Sequence, residues 1–284
     1  MMALIFRDPR LPDYFAEIDG TDPAALKELI PLYEDEKVIL LRNRKIDFDA
    51  DFFASFQLPP TREYKKFKAF QYLDEYAKGN DLYPSLAKDC FGGDRTRAAY
   101  FREQLGSILR QVVSLLNETA GPYRIDRQRV TYRGSPTFNE NLHIDVYKEE
   151  IPTHHFRVFV NLDSAHRIWH TSWRLSDMLR DRLAELPRKD LESLNAGDIN
   201  KALNFHVFGG LNGLYEDMKQ PRHLAFFEPG EIWFVDSRTV AHQIFYGRQA
   251  ISSESVVERS NMADPARHYL ARTDARRQEL LCPA

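Results

Sequence analysis

The sequence predicts a mainly β fold with flanking helices (α+β), a double-stranded β-helix or jelly roll, and three observations carry that expectation. From residue 129 onward short strand-like runs succeed one another: Arg129 to Tyr132, Leu142 to Tyr147, His155 to Asn161, Ala225 to Phe227, Glu231 to Val235, His242 to Tyr246 and Ser253 to Arg259. Period-2 alternation with turn residues between runs is the mark of half-buried antiparallel strands. The punctuation is explicit at Glu228-Pro229-Gly230, a turn signal directly before one of these runs. The markers of a parallel βαβ sheet are missing, since the chain has no Gly-rich phosphate loop, no Gly-x-Ser-x-Gly elbow and no internal repeat.

In chain order, Asp22-Pro23 reads as an N-cap with proline in the first turn, opening a helix that runs to Leu32, and Lys37 to Leu41 reads as a strand. Residues 61–78 read as helical, because Tyr64, Phe67, Tyr72, Leu73 and Tyr76 fall mostly three or four apart, with Lys65, Lys66 and Lys68 as a solvated basic face. A longer helix is expected from Asp94 to Thr119 on the stripe Phe101, Leu105, Ile108, Leu109, Val112, Leu115 and Leu116, ended by Gly121-Pro122. A helical insert, 173–202, interrupts the strands, and Asp264-Pro265 caps a last helix, 264–281, carrying Arg267, Arg272, Arg276 and Arg277. The organisation expected is one domain, 1–284: a helical and αβ portion, 1–120, packed on a jelly-roll core, 125–260.

Composition narrows the function classes. In 284 residues, 43% hydrophobic and 12% aromatic content excludes a disordered chain, and a formal net charge of -3 gives no reason to expect nucleic acid. The two cysteines, Cys90 and Cys282, are too far apart for a thiolate zinc motif or a disulfide framework, which points to a reducing cytoplasm. Arg7 and Asp8 arrive before an apolar signal core can form, and no stretch approaches the roughly 18 apolar residues of a spanning helix. The expectation is a soluble protein; its basic C-terminal helix suits either oligomer contact or peripheral contact with an anionic inner-membrane surface.

His143-Ile144-Asp145 and the distal His242 carry the chemistry. On alternating runs, residues 143 and 145 share a face, and His242 opens a second run. Two imidazoles and one carboxylate on one side of a metal leave the other side open, the facial arrangement of non-heme Fe(II) oxygenases. His154, His155, His166, His170, His206 and His223 have no carboxylate two residues away. If the open positions take the keto acid of 2-oxoglutarate, its far carboxylate needs a fixed cation, and arginine offers a bidentate fork. Arg157 is the leading candidate, sharing a strand face with Phe159 and Asn161; Arg259 and Arg248 are the alternatives.

The ordered series Leu142-His143-Ile144-Asp145, Phe156-Arg157-Val158-Phe159-Val160-Asn161, Arg167-Ile168-Trp169, Phe227-Glu228-Pro229-Gly230-Glu231-Ile232-Trp233-Phe234 with Asp236, and Ala241-His242 resembles the Kdo hydroxylase family. The resemblance covers roughly residues 95–259. It implies a cupin-like jelly roll using Fe(II), 2-oxoglutarate and O2, with ascorbate as reductant, to hydroxylate the 3-deoxy-manno-octulosonic acid (Kdo) sugar of a lipid A-linked saccharide. It further implies iron ligation by His143, Asp145 and His242, and a match of Arg157 to the arginine of the family's Arg-Val-Phe strand. In many members of the wider superfamily the cosubstrate arginine follows the distal histidine by about ten residues; here 252–256 read Ser-Ser-Glu-Ser-Val. Asn161 and Arg259 are further cosubstrate candidates, and Arg133, Tyr147, Arg167 and Trp169 are substrate candidates at the mouth. The sequence departs from the family's pattern in the sparse anchors around Ser135 and in the aromatic displaced to Tyr147, which leaves a free amino acid or other small polar metabolite as an alternative substrate. A zinc hydrolase with Glu254 or Glu258 as general base, and a cupin-like binding protein without catalysis, are the readings from other classes.

Overall fold

The computed structural model describes residues 3–59, 67–68, 82–134, 136–146, 153–209 and 214–282. Among these, strands form two sheets. One is five-stranded in the order β1 (Leu4–Phe6), β9 (His223–Phe227), β8 (Arg167–Arg174), β11 (Val240–Gly247), β6 (Thr137–Phe138). The other is seven-stranded: β2 (Phe15–Asp19), β3 (Val38–Arg42), β10 (Ile232–Phe234), β7 (Thr153–Asn161), β12 (Ala250–Glu258), β5 (Ile125–Arg133), β4 (Phe67–Lys68). The β2–β3 pair is parallel, while β7, β12 and β5 form a long antiparallel ladder. The N-terminal portion therefore adds three strands, β2, β3 and β4, to the second sheet and one, β1, to the first.

Alternation along β7 decides which layer each residue meets. Phe156, Val158 and Val160 join Phe101, Leu105, Ile108 and Val112 of the helix Arg95–Thr119 in one apolar cluster. Phe159 joins Leu40, Trp233, Trp169, Val240 and Ile244 in a second cluster between the sheets. A third cluster packs Leu142 and Ile144 against Leu175, Met178, Leu179, Leu203 and Phe208 of the helical insert. The site grows where the second and third clusters meet.

The helix Arg95–Thr119 follows the expected stripe, and the Asp94 side chain accepts from the N–H groups of Thr96 and Arg97 at 2.9 and 3.1 Å, a cap worth about 1 kcal/mol. Other expectations need correction. The helix opened by Asp22 breaks into Pro23–Leu26 and Leu29–Glu34, because Pro31 has no N–H for the carbonyl of Lys27 and its ring crowds that oxygen. Within the expected helix 61–78, Phe67–Lys68 instead form a strand pairing with β5; aromatics at short spacing suit either element, and the open edge of β5 provides ladder partners. The rest of 61–78 lies outside the described residues. Strand β8 runs through Trp173 to Arg174, so the insert starts at Leu175; its last long helix, Ala196–Phe208, stops at Gly209 in the left-handed conformation (φ 75°). Asp264 caps a single 3-10 turn, Pro265–Arg267, and the last helix is Tyr269–Leu281. Several of its arginines bind within the chain: Arg272 to the carbonyls of Arg267 and Glu34, Arg277 to that of Leu194. No helix among the described residues is long and apolar enough to cross a membrane.

Candidate metal centre

His143 and His242 face each other across a single antiparallel bridge, with backbone bonds of 3.1 Å (His143 N to His242 O) and 2.8 Å (His242 N to His143 O). Residues opposed in this way project to the same side, and the two imidazole centroids lie 4.8 Å apart. The run Leu142 to Tyr147 was expected to be a strand, yet only this bridge is formed; Tyr147 lies outside the described residues. Its backbone is held by side chains instead. Leu142 N donates to Asp217 Oδ2 at 3.1 Å, Ile144 N to Asn204 Oδ1 at 2.9 Å, and Asp145 N to the carbonyl of Ser237 at 2.7 Å. Leu142 and Ile144 are buried in the insert cluster, each worth about 1.5–3 kcal/mol of apolar burial. That anchoring turns residues 143 and 145 to the opposite side.

The hydrogen bonds assign the ring protons. His143 Nδ1 lies 2.6 Å from the Asn141 carbonyl and His242 Nδ1 lies 3.3 Å from the Val240 carbonyl. A carbonyl only accepts, so each Nδ1 carries a hydrogen, and in the neutral ring each Nε2 offers its lone pair. One ligand atom from each of His143, Asp145 and His242 falls within 4.8 Å of the others, and among the described residues no other group of His, Cys, Asp or Glu meets that condition. Burial, followed by the neighbouring His143, pushes His242 down to about 3, so it is neutral at pH 7. Burial also opposes charge on Asp145, but His143, His242 and Arg157 outweigh it and hold the carboxyl well below its usual range. Burial lowers His143, which the Asp145 carboxylate and the Asn141 carbonyl more than offset. Two lone pairs and one ionised carboxylate converging on a point suit a divalent cation of the Fe(II) or Zn(II) type.

The other candidates occupy varied places. Arg157 is 6% exposed, and its Nη1 donates to Asp145 Oδ2 at 2.6 Å and to Ser237 Oγ, while Nη2 reaches Ser252 Oγ at 3.4 Å. It therefore grips the carboxylate of the triad, where the sequence suggested a cosubstrate fork. Asn161 builds a turn: its Nδ2 donates to the carbonyls of Ala165 and Phe227, both at 2.9 Å, and its Oδ1 accepts from Asp163 N. Arg259 is exposed beyond the end of β12 and bonds the Pro265 carbonyl, and Arg248 pairs with Asp163. Trp169, 1% exposed, stacks on the His242 ring at 5.3 Å, so it packs beneath that imidazole in the interior. Glu254 is held by Arg129 at 2.9 Å and Glu258 is exposed at the end of β12, so neither supplies the general base beside the triad that a hydrolase needs.

Arg167 differs from all of these. It is 2% exposed, and among the described residues its Nε has no hydrogen-bond partner and no carboxylate forms an ion pair with it, Glu140 and Asp163 acting only at longer range. Burial and then the nearby Arg133 push its guanidinium down to about 9, still cationic at neutral pH. Sequence reasoning missed Ser237, Asn204 and Asp217 altogether. They lie far along the chain from His143, and the sole hint was the polar run Asp236-Ser237-Arg238-Thr239 directly after an apolar strand.

No family model and no curated protein matches the chain by sequence. The fold is similar to that of Kdo hydroxylase KdoO. That protein is a non-heme Fe(II) alphaketoglutarate-dependent dioxygenase, and its crystal structure with cobalt(II) aligns at a TM-score of 0.63 and 13% identity, covering 92% of this chain and 95% of that one. Its complexes with alphaketoglutarate and Fe(III), and with succinate and Fe(III), align at 0.60 and 0.63, both at 14% identity over the same shares. At this identity the likeness is one of fold.

Proposed function

We propose that this chain is an Fe(II)- and 2-oxoglutarate-dependent dioxygenase that hydroxylates an unactivated C–H bond, with Kdo of a lipid A-linked saccharide as the leading substrate. The observation that carries this reading is the convergence of His143, Asp145 and His242 inside a two-sheet fold similar to that of a Kdo hydroxylase over nearly the whole chain. We read the paired sheets as a double-stranded β-helix and residues 1–284 as one oxygenase unit. The bound iron and cosubstrate would supply oxygen activation: 2-oxoglutarate and O2 yield succinate and CO2, one oxygen atom entering succinate and the other the substrate C–H bond as hydroxyl.

The chain's own residues orient the reactants. His143, Asp145 and His242 would hold the metal from one side, with Trp169 fixing the His242 ring. Arg167, rather than Arg157, is the better anchor for the far carboxylate of the cosubstrate. It is a buried cation that no carboxylate among the described residues pairs with, and a dicarboxylate supplies such a partner. It lies four residues along β8 from Thr171, the register partner of His242, or about 13 Å of strand, a span that an arginine side chain and a five-carbon diacid bridge together. Arg133 adds positive potential at the same end.

The test is incubation of purified protein with Fe(II), ascorbate, 2-oxoglutarate and Kdo-lipid A in air, read by mass. A gain of one oxygen on the sugar with matching succinate is expected, and His143→Ala, Asp145→Ala and His242→Ala each abolish both. No mass gain on the sugar alongside turnover of a free amino acid retires the saccharide assignment. Full activity in Asp145→Ala retires the metal site itself.

A further inference from the structure

We propose that Arg157 and Ser237 form a clamp that holds Asp145 as a single-oxygen metal ligand, which makes Arg157 a positioning residue for the metal. The inference rests on the metal-site reading above. The two oxygens of Asp145 have different surroundings. Oδ2 accepts from Arg157 Nη1 at 2.6 Å and from Ser237 Oγ at 2.6 Å, whereas Oδ1 turns toward His143 Nε2, 3.4 Å away. Ser237 holds the residue twice, since its carbonyl also accepts the Asp145 N–H at 2.7 Å.

Arg157 has little freedom to leave. Its Nη1 also donates to Ser237 Oγ, its Nη2 reaches Ser252 Oγ on β12, and its guanidinium lies 5.1 Å from the centroid of the Phe159 ring. The backbone is fixed as well, because Arg157 N donates to the Tyr33 hydroxyl at 3.0 Å. Swinging the guanidinium away would strand a buried cation and remove the strongest bond to Oδ2. The clamp therefore holds Oδ2 and leaves Oδ1 as the oxygen on the His143 side.

This arrangement controls how many coordination positions remain. With each of His143, Asp145 and His242 giving one atom, the rest of a bound ion's coordination sphere would stay open to the keto acid and O2. A carboxylate released from the clamp can rotate to present both oxygens and take one of these open positions. Interactions that orient ligands in this way are worth 10- to 100-fold in metal affinity.

Cobalt(II) titration of the metal-free protein tests the clamp, followed by calorimetry and by visible absorption, which reports coordination number. Wild type is expected to bind one Co(II) per chain; if it does not, the metal-site reading fails and not merely the clamp. Arg157→Ala is expected to weaken Co(II) binding 10- to 100-fold and alter the visible spectrum, with Arg157→Lys restoring most of the affinity through one remaining donor. At saturating Co(II), 2-oxoglutarate affinity in Arg157→Ala is expected to stay within about threefold of wild type. Unchanged Co(II) affinity and spectrum overturn the clamp, and a 30-fold loss of 2-oxoglutarate affinity in their place makes Arg157 the cosubstrate anchor. Should Arg157→Ala fail to fold, Ser237→Ala carries the test: it keeps the ion pair, is expected to lose about tenfold in Co(II) affinity, and overturns the proposal if it loses none.

Discussion

Among the described residues no carboxylate forms an ion pair with the buried Arg167, so holding its charge in the interior costs folding free energy. Replacing it by methionine removes the buried charge while keeping an unbranched apolar stem that reaches about as far as the arginine Nε. Arg167→Met is therefore expected to raise the melting temperature of the ligand-free protein by a few degrees, to erase the further rise that 2-oxoglutarate gives wild type, and to weaken 2-oxoglutarate binding roughly 30-fold while Co(II) affinity holds. Differential scanning calorimetry with and without 2-oxoglutarate checks the first two; a ligand-induced rise that survives the substitution defeats the assignment. Gly247→Ala approaches the same point from the neighbouring strand, because a Cβ there would fall on the Arg167 guanidinium. Residue chemistry made the convergence of the triad visible in the sequence, since alternation puts two imidazoles and a carboxylate on faces that can meet. The arginines were harder to sort. Alternation gave Arg157 the correct face of β7, but not the fact that Asp145 stands within its reach, and burial without a partner, which singles out Arg167, leaves no trace in sequence.

At the scale of elements, the segment carrying His143 and Asp145 owes its shape to the insert below it. Asn204, on the helix Ala196–Phe208, supplies the acceptor for Ile144 N. Asn204→Ala leaves that donor without a partner, a loss of about 1–3 kcal/mol, and the effect should stay local. Hydrogen exchange is expected to quicken at residues 142–145 and Co(II) affinity to fall, with exchange in β7 and β12 unchanged; uniform quickening across the sheets would mean that Asn204 supports the fold at large. The same dependence explains what was legible. The helix Arg95–Thr119 and the ladder of β7 and β12 satisfy their backbone bonds with regular partners, so their periodicity shows in the sequence. Residues 142–146 bond to side chains of Asn204 and Asp217 and to the carbonyl of Ser237, none of which is near in sequence, so an alternating run was mistaken for a strand. The break before Leu29 was readable in principle from Pro31, whereas the short strands β1 and β2 carry too few residues to establish a period.

Across the whole molecule, one buried polar centre joins the N-terminal portion, the sheets and the C-terminal helix. His154 on β7 lies 3.1 Å from the Tyr123 hydroxyl through Nε2 and 3.7 Å from Asp236 through Nδ1. Tyr123 donates to Glu34 at 2.9 Å, and Glu34 accepts from the N–H groups of Ala263 and Asp264. Arg238 donates to the Thr153 carbonyl at 2.6 Å and lies over the Tyr269 ring, while His268 meets the same carbonyl at 3.1 Å. Burial holds His154 down at about 3 and His268 at about 4. An unfolded histidine protonates near 6.5, so as the pH falls the unfolded chain takes up these protons before the folded one does. The stability linked to each imidazole is complete above about pH 6.5 and is lost progressively down toward the folded values. At pH 5 the loss amounts to about 2 kcal/mol for each such imidazole. The melting temperature is thus expected to hold near pH 7 and to decline steeply between pH 6.5 and 4. His154→Gln keeps a polar side chain at this centre but cannot take up the proton, so its acid limb should be shallower than that of wild type even if its melting temperature at pH 7 is lower. Melting curves of the metal-free proteins at half-unit steps decide the matter: parallel acid limbs in the two would assign the decline to groups other than His154.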